Sequence, residues 1–516
     1  MANWKVLTIT SVTIGVCGLV LMITLFTATG GYVPFDYGVV LDAGSSHTQI
    51  TLYHWKADKE RCTGVVEQLD TCRIEGGISG YNVSDPSGVG QDLIQCIYNV
   101  STKIDKDRKF MTPLYLGSTA GMRLLNITAP DKVKLIFKLI RDAFLLSSGL
   151  QVQCTDIISG QNEGLFSWVT NNYLMNKLVV DRFDGHQPNS TIGMLDMGGA
   201  SAQIAYRAGD SVGGGVGGGG LTKNVTDDDV NVRLYGINHT VRASSNLCFG
   251  VDQAMLRYQM YLIVTHPERI DPTIDSPCTP IGSQITVPGS VFRDQICAKT
   301  KKSINYDRNY TFSGISYDRD GNDCSALISN HLLNTNECRQ TFDMCFETEA
   351  GPPPQATQFY ALSSYYYTVR ILNLTVTTAD EYRQKTDAFC RLNRDAMLQN
   401  PLVVAKYVDV YCFQLNYIYN TIKNVYRFPD NQWPNIRFSN SIKDTTLGWS
   451  LGFMINATNA IAAEKPTPPV VELFPFTLVC IFCSLILAFS IYFGIKWHKT
   501  NESQRKEQYE PISISS

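Results

Sequence analysis

Two stretches of this chain, 154 positions apart, spell almost the same turn: Val40-Leu41-Asp42-Ala43-Gly44-Ser45-Ser46 and Met194-Leu195-Asp196-Met197-Gly198-Gly199-Ala200-Ser201. Laid over each other, Leu41/Leu195, Asp42/Asp196, Gly44/Gly198, Gln49/Gln203 and Ile50/Ile204 coincide, so the match runs past the turn into a following apolar run. A turn of glycine and small hydroxyl residues lets backbone N–H groups converge on phosphate oxygens where a larger side chain would block approach. Each copy also delivers an aspartate at the end of a strand. Two such carboxylates facing across a cleft suit a hard divalent cation that keeps most of its waters, and no Cys/His cluster offers a softer site. One device written twice implies two lobes sharing one site.

The ends of the chain bound its surroundings. Val6 to Phe26 and Leu473 to Ile495 are uncharged apolar runs, each long enough to cross a ~30 Å hydrocarbon core as a helix. The first exceeds the h-region of a signal peptide and is read as a retained anchor, with a cleaved signal as the alternative. Lys5 precedes the first run, and Lys496, Lys499, Arg505 and Lys506 follow the second, which places both termini in the cytosol. The middle of the chain then lies outside the cell or in a lumen. Of fifteen cysteines, Cys17, Cys480 and Cys483 fall in the runs, leaving twelve between them, an even number that fits an oxidising compartment and up to six disulfides. Sequons stand at Asn82, Asn99, Asn126, Asn189, Asn224, Asn238, Asn309, Asn373 and Asn456 on the same side, with Asn501 in the cytosol. The net charge of -3 with no basic stripe argues against nucleic acid as a partner.

The local pattern is mixed α/β. Tyr37 to Trp55 reads as a β-hairpin. Lys132 to Leu146 reads as a helix with Val133, Ile136, Phe137, Ile140, Phe144 and Leu145 on one face. Gly213 to Gly220, with seven glycines in eight residues, reads as a surface loop, and Pro466-Thr467-Pro468-Pro469 as a stalk. A third small-residue turn, Gly117-Ser118-Thr119-Ala120-Gly121-Met122-Arg123, follows an apolar strand. In Ser159-Gly160-Gln161-Asn162-Glu163, ahead of a helical stripe of Leu165, Trp168, Val169 and Tyr173, Glu163 falls in a first helical turn. There it either complements the helix dipole or takes a proton from an attacking water.

The order DAGSS, GSTAGMRLL, SGQNEGLFSWVTNNYL, LDMGGASAQIAY and FYALSSYYYT (359–368) closely resembles the five apyrase conserved regions of the ecto-nucleoside triphosphate diphosphohydrolases. Resemblance extends over nearly the whole middle region, through Leu247-Cys248-Phe249-Gly250, Tyr411-Cys412-Phe413 and Gly448-Trp449-Ser450-Leu451-Gly452. It implies the two-lobed fold of actin, sugar kinases and heat-shock chaperones (ribonuclease H-like, duplicated), flanked by two transmembrane helices. It also implies hydrolysis of ATP, ADP, UTP and UDP to the monophosphate.

By that similarity Asp42 and Asp196 would hold Ca²⁺ or Mg²⁺ through water, and Ser45, Ser46, Thr119, Ala120, Gly199 and Ala200 would cradle phosphates, with His47 beside the terminal one. Glu163 would be the base, Ser201 and Gln203 would orient the water, and Tyr360 would stack on the nucleobase. Val251 stands where surface members usually carry an arginine, which implies broad nucleobase use. The resemblance further suggests bridges Cys72–Cys96, Cys248–Cys297, Cys278–Cys324, Cys338–Cys345 and Cys390–Cys412. Cys62 and Cys154 remain, and a sixth bridge between them is the parsimonious expectation.

The expected organisation is a cytosolic N-terminus (1–5), a transmembrane helix (6–28), lobe I (36–160 plus about 443–462), lobe II (161–442), a stalk (463–472), a second transmembrane helix (473–495) and a cytosolic tail (496–516). The location this implies is the plasma membrane with the catalytic region outside. Tyr509-Glu510-Pro511-Ile512 has the pattern of an endosomal sorting signal, and Gly15, Gly18 and Ser484 could bring spanning helices together in a homo-oligomer. Two other readings stay open: a lumenal nucleoside diphosphatase of the secretory pathway, and a catalytically silent nucleotide-binding receptor.

Overall fold

The computed structural model describes residues 2–29, 33–84, 90–179, 191–208, 228–266, 273–317, 323–346, 353, 357–442, 445–466 and 473–508. Gly213 to Gly220, Asn189, Asn224, most of the stalk and Tyr509 to Ile512 lie outside them.

The chain begins with α1 (Ala2–Thr29) and enters a five-stranded sheet. Strands β1 (Phe35–Ala43) and β2 (His47–Lys56) are joined by a turn in which the Gly44 N–H donates to the His47 carbonyl at 2.9 Å. Next come β3 (Glu67–Glu75), antiparallel to β2, and α2 (Gln91–Ser101). Strand β4 (Pro113–Ser118) runs parallel to β1, and after α3 (Ala120–Thr128) and α4 (Pro130–Ser147), β5 (Gln151–Ile157) runs parallel to β4. The order across the sheet is β3-β2-β1-β4-β5.

Helix α5 (Gly160–Leu174) leads into the second lobe, where β6 (Gly193–Met197) and β7 (Ser201–Arg207) form an antiparallel pair. They are followed by β8 (Asp229–Leu234), β9 (Ile237–Leu247) and α6 (Val251–Thr265). A small sheet of β10 (Thr273–Ser276), β11 (Gln284–Pro288) and β12 (Asn309–Gly314) is inserted before β13 (Phe359–Ser363) and β14 (Ile436–Phe438). The main sheet of this lobe runs β14-β13-β6-β7-β9-β8. Read from β9, it repeats the first lobe: β7–β9 antiparallel, β6–β7 antiparallel, β6–β13 parallel and β13–β14 parallel. The duplicated sequence is a duplicated sheet, as two related lobes require.

Helix α7 (Trp449–Ala457) follows, and α8 (Leu473–Gln508) closes the described chain. Residues 6–26 and 473–505 each contain an apolar stretch long enough to span a bilayer. Within this pair the small residues are spent inside the chain: a Cβ on Gly15 would lie 2.7 Å from Leu487, one on Gly18 would lie 2.9 Å from the Cys483 sulfur, and Ser490 donates to Ser11 at 2.9 Å.

In the first lobe, α4 buries Val133, Ile136, Ile140 and Phe144 as the spacing demands, but Leu145 is exposed. One residue advances a helix by about 100°, so Phe144 takes the inward place and Leu145 turns out. Helix α5 departs from its expected single stripe more strongly. Every residue from Gly164 to Asn172 is buried, because the β7–β9 face covers one side and α7 the other. The contact with α7 is close: the Gly452 N–H donates to Thr170 Oγ1 at 2.9 Å, and a Cβ on Gly452 would fall 2.0 Å from the Phe166 carbonyl oxygen.

The five bridges Cys72–Cys96, Cys248–Cys297, Cys278–Cys324, Cys338–Cys345 and Cys390–Cys412 are formed. The sixth is not, and Cys62 and Cys154 are separate exposed thiols. Sheet order explains this: Cys154 lies on edge strand β5, three strands from β2, whose connection to β3 carries Cys62. Strands spaced ~4.8 Å put that gap near ~14 Å, about twice the largest Cα separation a disulfide bridges. Asn82, Asn99, Asn126, Asn238, Asn309 and Asn373 are exposed, whereas Asn456 is half-buried in the last turn of α7.

Because nothing at Gly452 can retreat except helix backbone, Gly452→Ala should lower the melting temperature by an amount equivalent to about 1–3 kcal/mol, the usual cost of overpacking. Differential scanning calorimetry of the purified chain reads this directly.

Candidate active site

The two copied turns meet. A Cβ on Gly199 would lie 3.3 Å from Ser45 Oγ and 2.4 Å from an Asp252 carboxylate oxygen, and one on Gly121 would lie 3.2 Å from Ser45 Cα. Glycine at both positions leaves room for this approach. The second turn closes as the first does, the Gly198 N–H donating to the Ser201 carbonyl at 3.0 Å, so Ser201 takes the place that His47 holds in the first copy. Thr119 stands at the start of α3, its N–H donating to the Ala43 carbonyl at 3.2 Å, and Ala120 opens that helix. The structure therefore brings Ser45, Thr119, Ala120, Gly199 and Ala200 close together. Ser46 and His47 follow in the first turn, Ser46 Oγ 3.1 Å from His47 Nδ1. Burial first, then Arg73, keeps the His47 imidazole below its ordinary pKa.

Two strand ends carry the aspartates. Asp42 pairs with Gly117 across β1–β4, and Asp196 with Leu362 across β6–β13. Burial pushes Asp42 up to about 7, and the Asp196 charge adds to this; the Trp449 indole opposes the shift, although its N–H closes no hydrogen bond of normal geometry. Asp196 is raised by burial and partly relieved by the Ser363 hydroxyl. Ser363 sits at φ 55, a region costly for a residue with a Cβ, where β13 turns into the next helix. Among the described residues no three His, Cys, Asp or Glu side chains converge as a metal cluster.

Glu163 stands in the first turn of α5, whose N-terminus is capped by Ser159 Oγ accepting from the Asn162 N–H at 3.1 Å. Its carboxylate is ion-paired with Arg123 and accepts from Gln203 Nε2 at 3.2 Å. Gln203 Nε2 also lies 2.6 Å from Ser201 Oγ and 3.1 Å from Ser245 Oγ, so its two N–H groups are shared among three acceptors, while Arg123 reaches Ser201 at 3.3 Å and Ser245 at 3.4 Å. A Cβ on Gly160 would strike Ser245 Oγ at 2.1 Å and Arg123 at 2.3 Å, so glycine there makes room for the cluster. Burial raises Glu163 to about 8; Arg123 opposes this, while Asp196 and Asp42 reinforce it. The result is a carboxylate poised to accept a proton, next to two groups able to hold a water. Arg123 Nε is buried without a hydrogen-bond partner.

Comparison with known proteins places this geometry. Residues 34–469 match the GDA1/CD39 (nucleoside phosphatase) family. The chain belongs to that family. It is 35% identical to mouse ectonucleoside triphosphate diphosphohydrolase 8, covering 87% of this chain and 88% of that one. To human ectonucleoside triphosphate diphosphohydrolase 3 it is 33% identical, over 88% and 85%. Among solved structures, a nucleoside triphosphate hydrolase from Neospora caninum superposes with a TM-score of 0.57 over 90% of this chain and 99% of that one, at 15% identity, a likeness of fold. The protein is a nucleoside phosphatase that carries two helices long enough to span a bilayer.

Two further residues of this phosphatase are placed by the fold. Tyr360 is half-buried, packed against the core shared by the lobes, with its hydroxyl 3.9 Å from the Met175 sulfur. Met175 lies twelve residues beyond Glu163 along α5, about 18 Å at 1.5 Å per residue, so Tyr360 faces the end of that helix away from the base. It lies at the second residue of β13, whereas the site is at the strand's far end. Val251 is buried in the lobe II core, its N–H donating to the Gly198 carbonyl at 2.9 Å, so it braces the turn from behind. A polar cavity of about 400 Å³ lined by Tyr317, Thr386, Asp387 and Asn416 lies elsewhere in lobe II, and none of the site residues above borders it.

Arg123 and Ser245 are the members that sequence reasoning left without a role. Arg123 lies within a motif singled out above. Ser245 carries no local signal and enters only through strand register, opposite Gln203 on β7–β9. Ser245→Ala should lower kcat by about tenfold with KM little changed, since it removes one hydrogen bond that orients the base cluster; steady-state kinetics with a nucleoside triphosphate will show it.

The raised carboxylates also set stability. A carboxylate whose pKa is higher folded than unfolded binds more protons in the native state, so stability falls as pH climbs from about 4 to about 7 for Asp42. In chelator at pH 8, Asp42→Asn should melt at a higher temperature than the unaltered chain, and the difference should shrink toward pH 4; a thermal melt series measures it.

Proposed function

We propose that this chain hydrolyses nucleoside tri- and diphosphates, among them ATP, ADP, UTP and UDP, to the monophosphate at the outer face of the plasma membrane, by direct attack of water activated by Glu163. The observation that carries the reading is the convergence of Glu163, Ser201 and Gln203 beside two glycine turns that face each other. Ser201 Oγ and Gln203 Nε2 hold the water, Glu163 takes its proton, and the oxygen attacks the terminal phosphorus in line with the leaving phosphate. Backbone N–H groups at Gly199, Ala200 and the Ser45–Ser46 turn, with Thr119 at the start of α3, accept the negative charge on the transferring group. Two buried, mutually repelling carboxylates fit Ca²⁺ or Mg²⁺, which Asp42 and Asp196 would hold through water; when bound, the cation neutralises charge on the phosphate oxygens. The exposed sequons and five bridges are what an ectodomain made in the secretory pathway would carry.

The base must be ionised to work. With Glu163 raised to about 8, kcat/KM should fall on acidification from well above the ordinary carboxylate range, and the limb should vanish with the residual activity of Glu163→Gln. That variant should bind nucleotide normally and lose about 10²–10⁴ in turnover; near-normal phosphate release would sink the assignment. On intact cells expressing the full chain, external ATP should disappear in Ca²⁺ or Mg²⁺ and persist in chelator. Activity only after permeabilisation would move the enzyme to an internal lumen, and none at all would favour the silent receptor.

A further inference from the structure

Strands β1, β4 and β5 are parallel. Their first residues, Phe35, Pro113 and Gln151, share one edge of the lobe I sheet, and their last, Ala43, Ser118 and Ile157, share the edge that carries the chemistry. Strands of six to nine residues at ~3.3 Å per residue separate the two edges by about 20–30 Å. The first edge leaves large apolar side chains in the open: Phe110 is 68% exposed, Met111 46%, Leu145 61% and Leu146 86%. They belong to one surface, because the Gln151 N–H donates to the Thr112 carbonyl at 2.9 Å and Gly149 lies beside the Lys109 stem. Scattered apolar side chains are ordinary on a protein surface; four gathered on one edge mark an interaction site.

The chain's own tethers name the occupant. Arg108, two residues before Phe110, pairs with Asp36 at 3.2 Å with both side chains largely shielded. Asp36 follows the end of α1 at Thr29 by seven residues, a reach of at most ~25 Å. The segment that continues β2 gathers both tethers: the Ala57 N–H donates to the Pro34 carbonyl at 2.9 Å, and the Glu464 N–H donates to the Ala57 carbonyl at 2.8 Å. Nine further residues, at most ~32 Å, lead from Glu464 to the start of α8 at Leu473.

We infer that this edge of lobe I rests on the lipid surface of the membrane that anchors the chain, with Phe110, Met111, Leu145 and Leu146 entering the headgroup and upper acyl region. Lys106 and Lys109 beside them have stems that follow apolar groups down while the ammonium stays in water. The catalytic edge then faces away from the lipid, toward dissolved nucleotide. The inference rests on α1 and α8 spanning the bilayer, and its test separates the two.

The full chain is reconstituted in phosphatidylcholine vesicles carrying an acyl-chain diazirine, irradiated, digested and mapped by mass spectrometry. Residues 6–26 and 473–495 should label, and so should the peptides holding Phe110–Met111 and Leu145–Leu146, while the peptide spanning Ser118 to Thr128 should not. The triple substitution Phe110→Ser, Met111→Ser and Leu146→Ser should lose labelling at this edge and keep it in the spans, with ATP hydrolysis reporting that the fold survives. Labelled spans with an unlabelled edge would overturn the inference alone, and unlabelled spans would overturn the anchoring it rests on. Amine cross-links joining Lys109 of two chains across this edge would make it a dimer face and overturn the lipid contact.

Discussion

Helix α5 is enclosed by its neighbours, and the rest of the site depends on that. It is buried from Gly164 to Asn172, with the β7–β9 face on one side and α7 on the other. The approach of α7 is possible only because Gly452 has no side chain to meet the Phe166 carbonyl. A helix held in this way presents its first turn, and with it Glu163, at a fixed position. Register then brings the remaining members: β6–β7 places Asp196 and Gln203 opposite each other, and β7–β9 sets Ser245 opposite Gln203.

Around that fixed point the protein gathers negative charge that it does not fully compensate. Asp42, Asp196 and Glu163 are all pushed up by burial, and Arg123 is the cation that reaches Glu163. Removing one partner of such a buried pair typically costs about 3–5 kcal/mol because it strands the other charge. The arrangement therefore sacrifices stability for a base whose proton affinity suits neutral pH. Ser363 at φ 55 stores further strain beside Asp196. A strained residue held beside a buried carboxylate is the kind of local cost that functional sites carry.

Much of this was legible in the chain, because the duplication is local and repeats at a fixed offset. The turns, the helix bearing Glu163 and the hairpin from Tyr37 to Trp55 are read from neighbouring residues. What could not be read was set by distant pairing. The free thiols of Cys62 and Cys154 follow from their places in the sheet order, which spacing does not encode. Tyr360 fits an aromatic motif, yet strand alternation turns it toward Met175 and the core shared by the lobes. Ser245 is one serine among many until β9 is aligned with β7. Leu145 shows the same limit on a smaller scale, since a helical face is about 100° per residue and two adjacent positions cannot share its centre.

Direct attack by water, with no phosphorylated residue along the way, is the central claim. It is tested most directly by the stereochemical course at the transferred phosphorus, using a nucleoside triphosphate made chiral at its terminal phosphate with sulfur and oxygen isotopes and hydrolysed in labelled water. A single in-line displacement by water held between Glu163, Ser201 and Gln203 predicts inversion of configuration. Retention would require two displacements and a covalent phospho-enzyme, and would contradict the account.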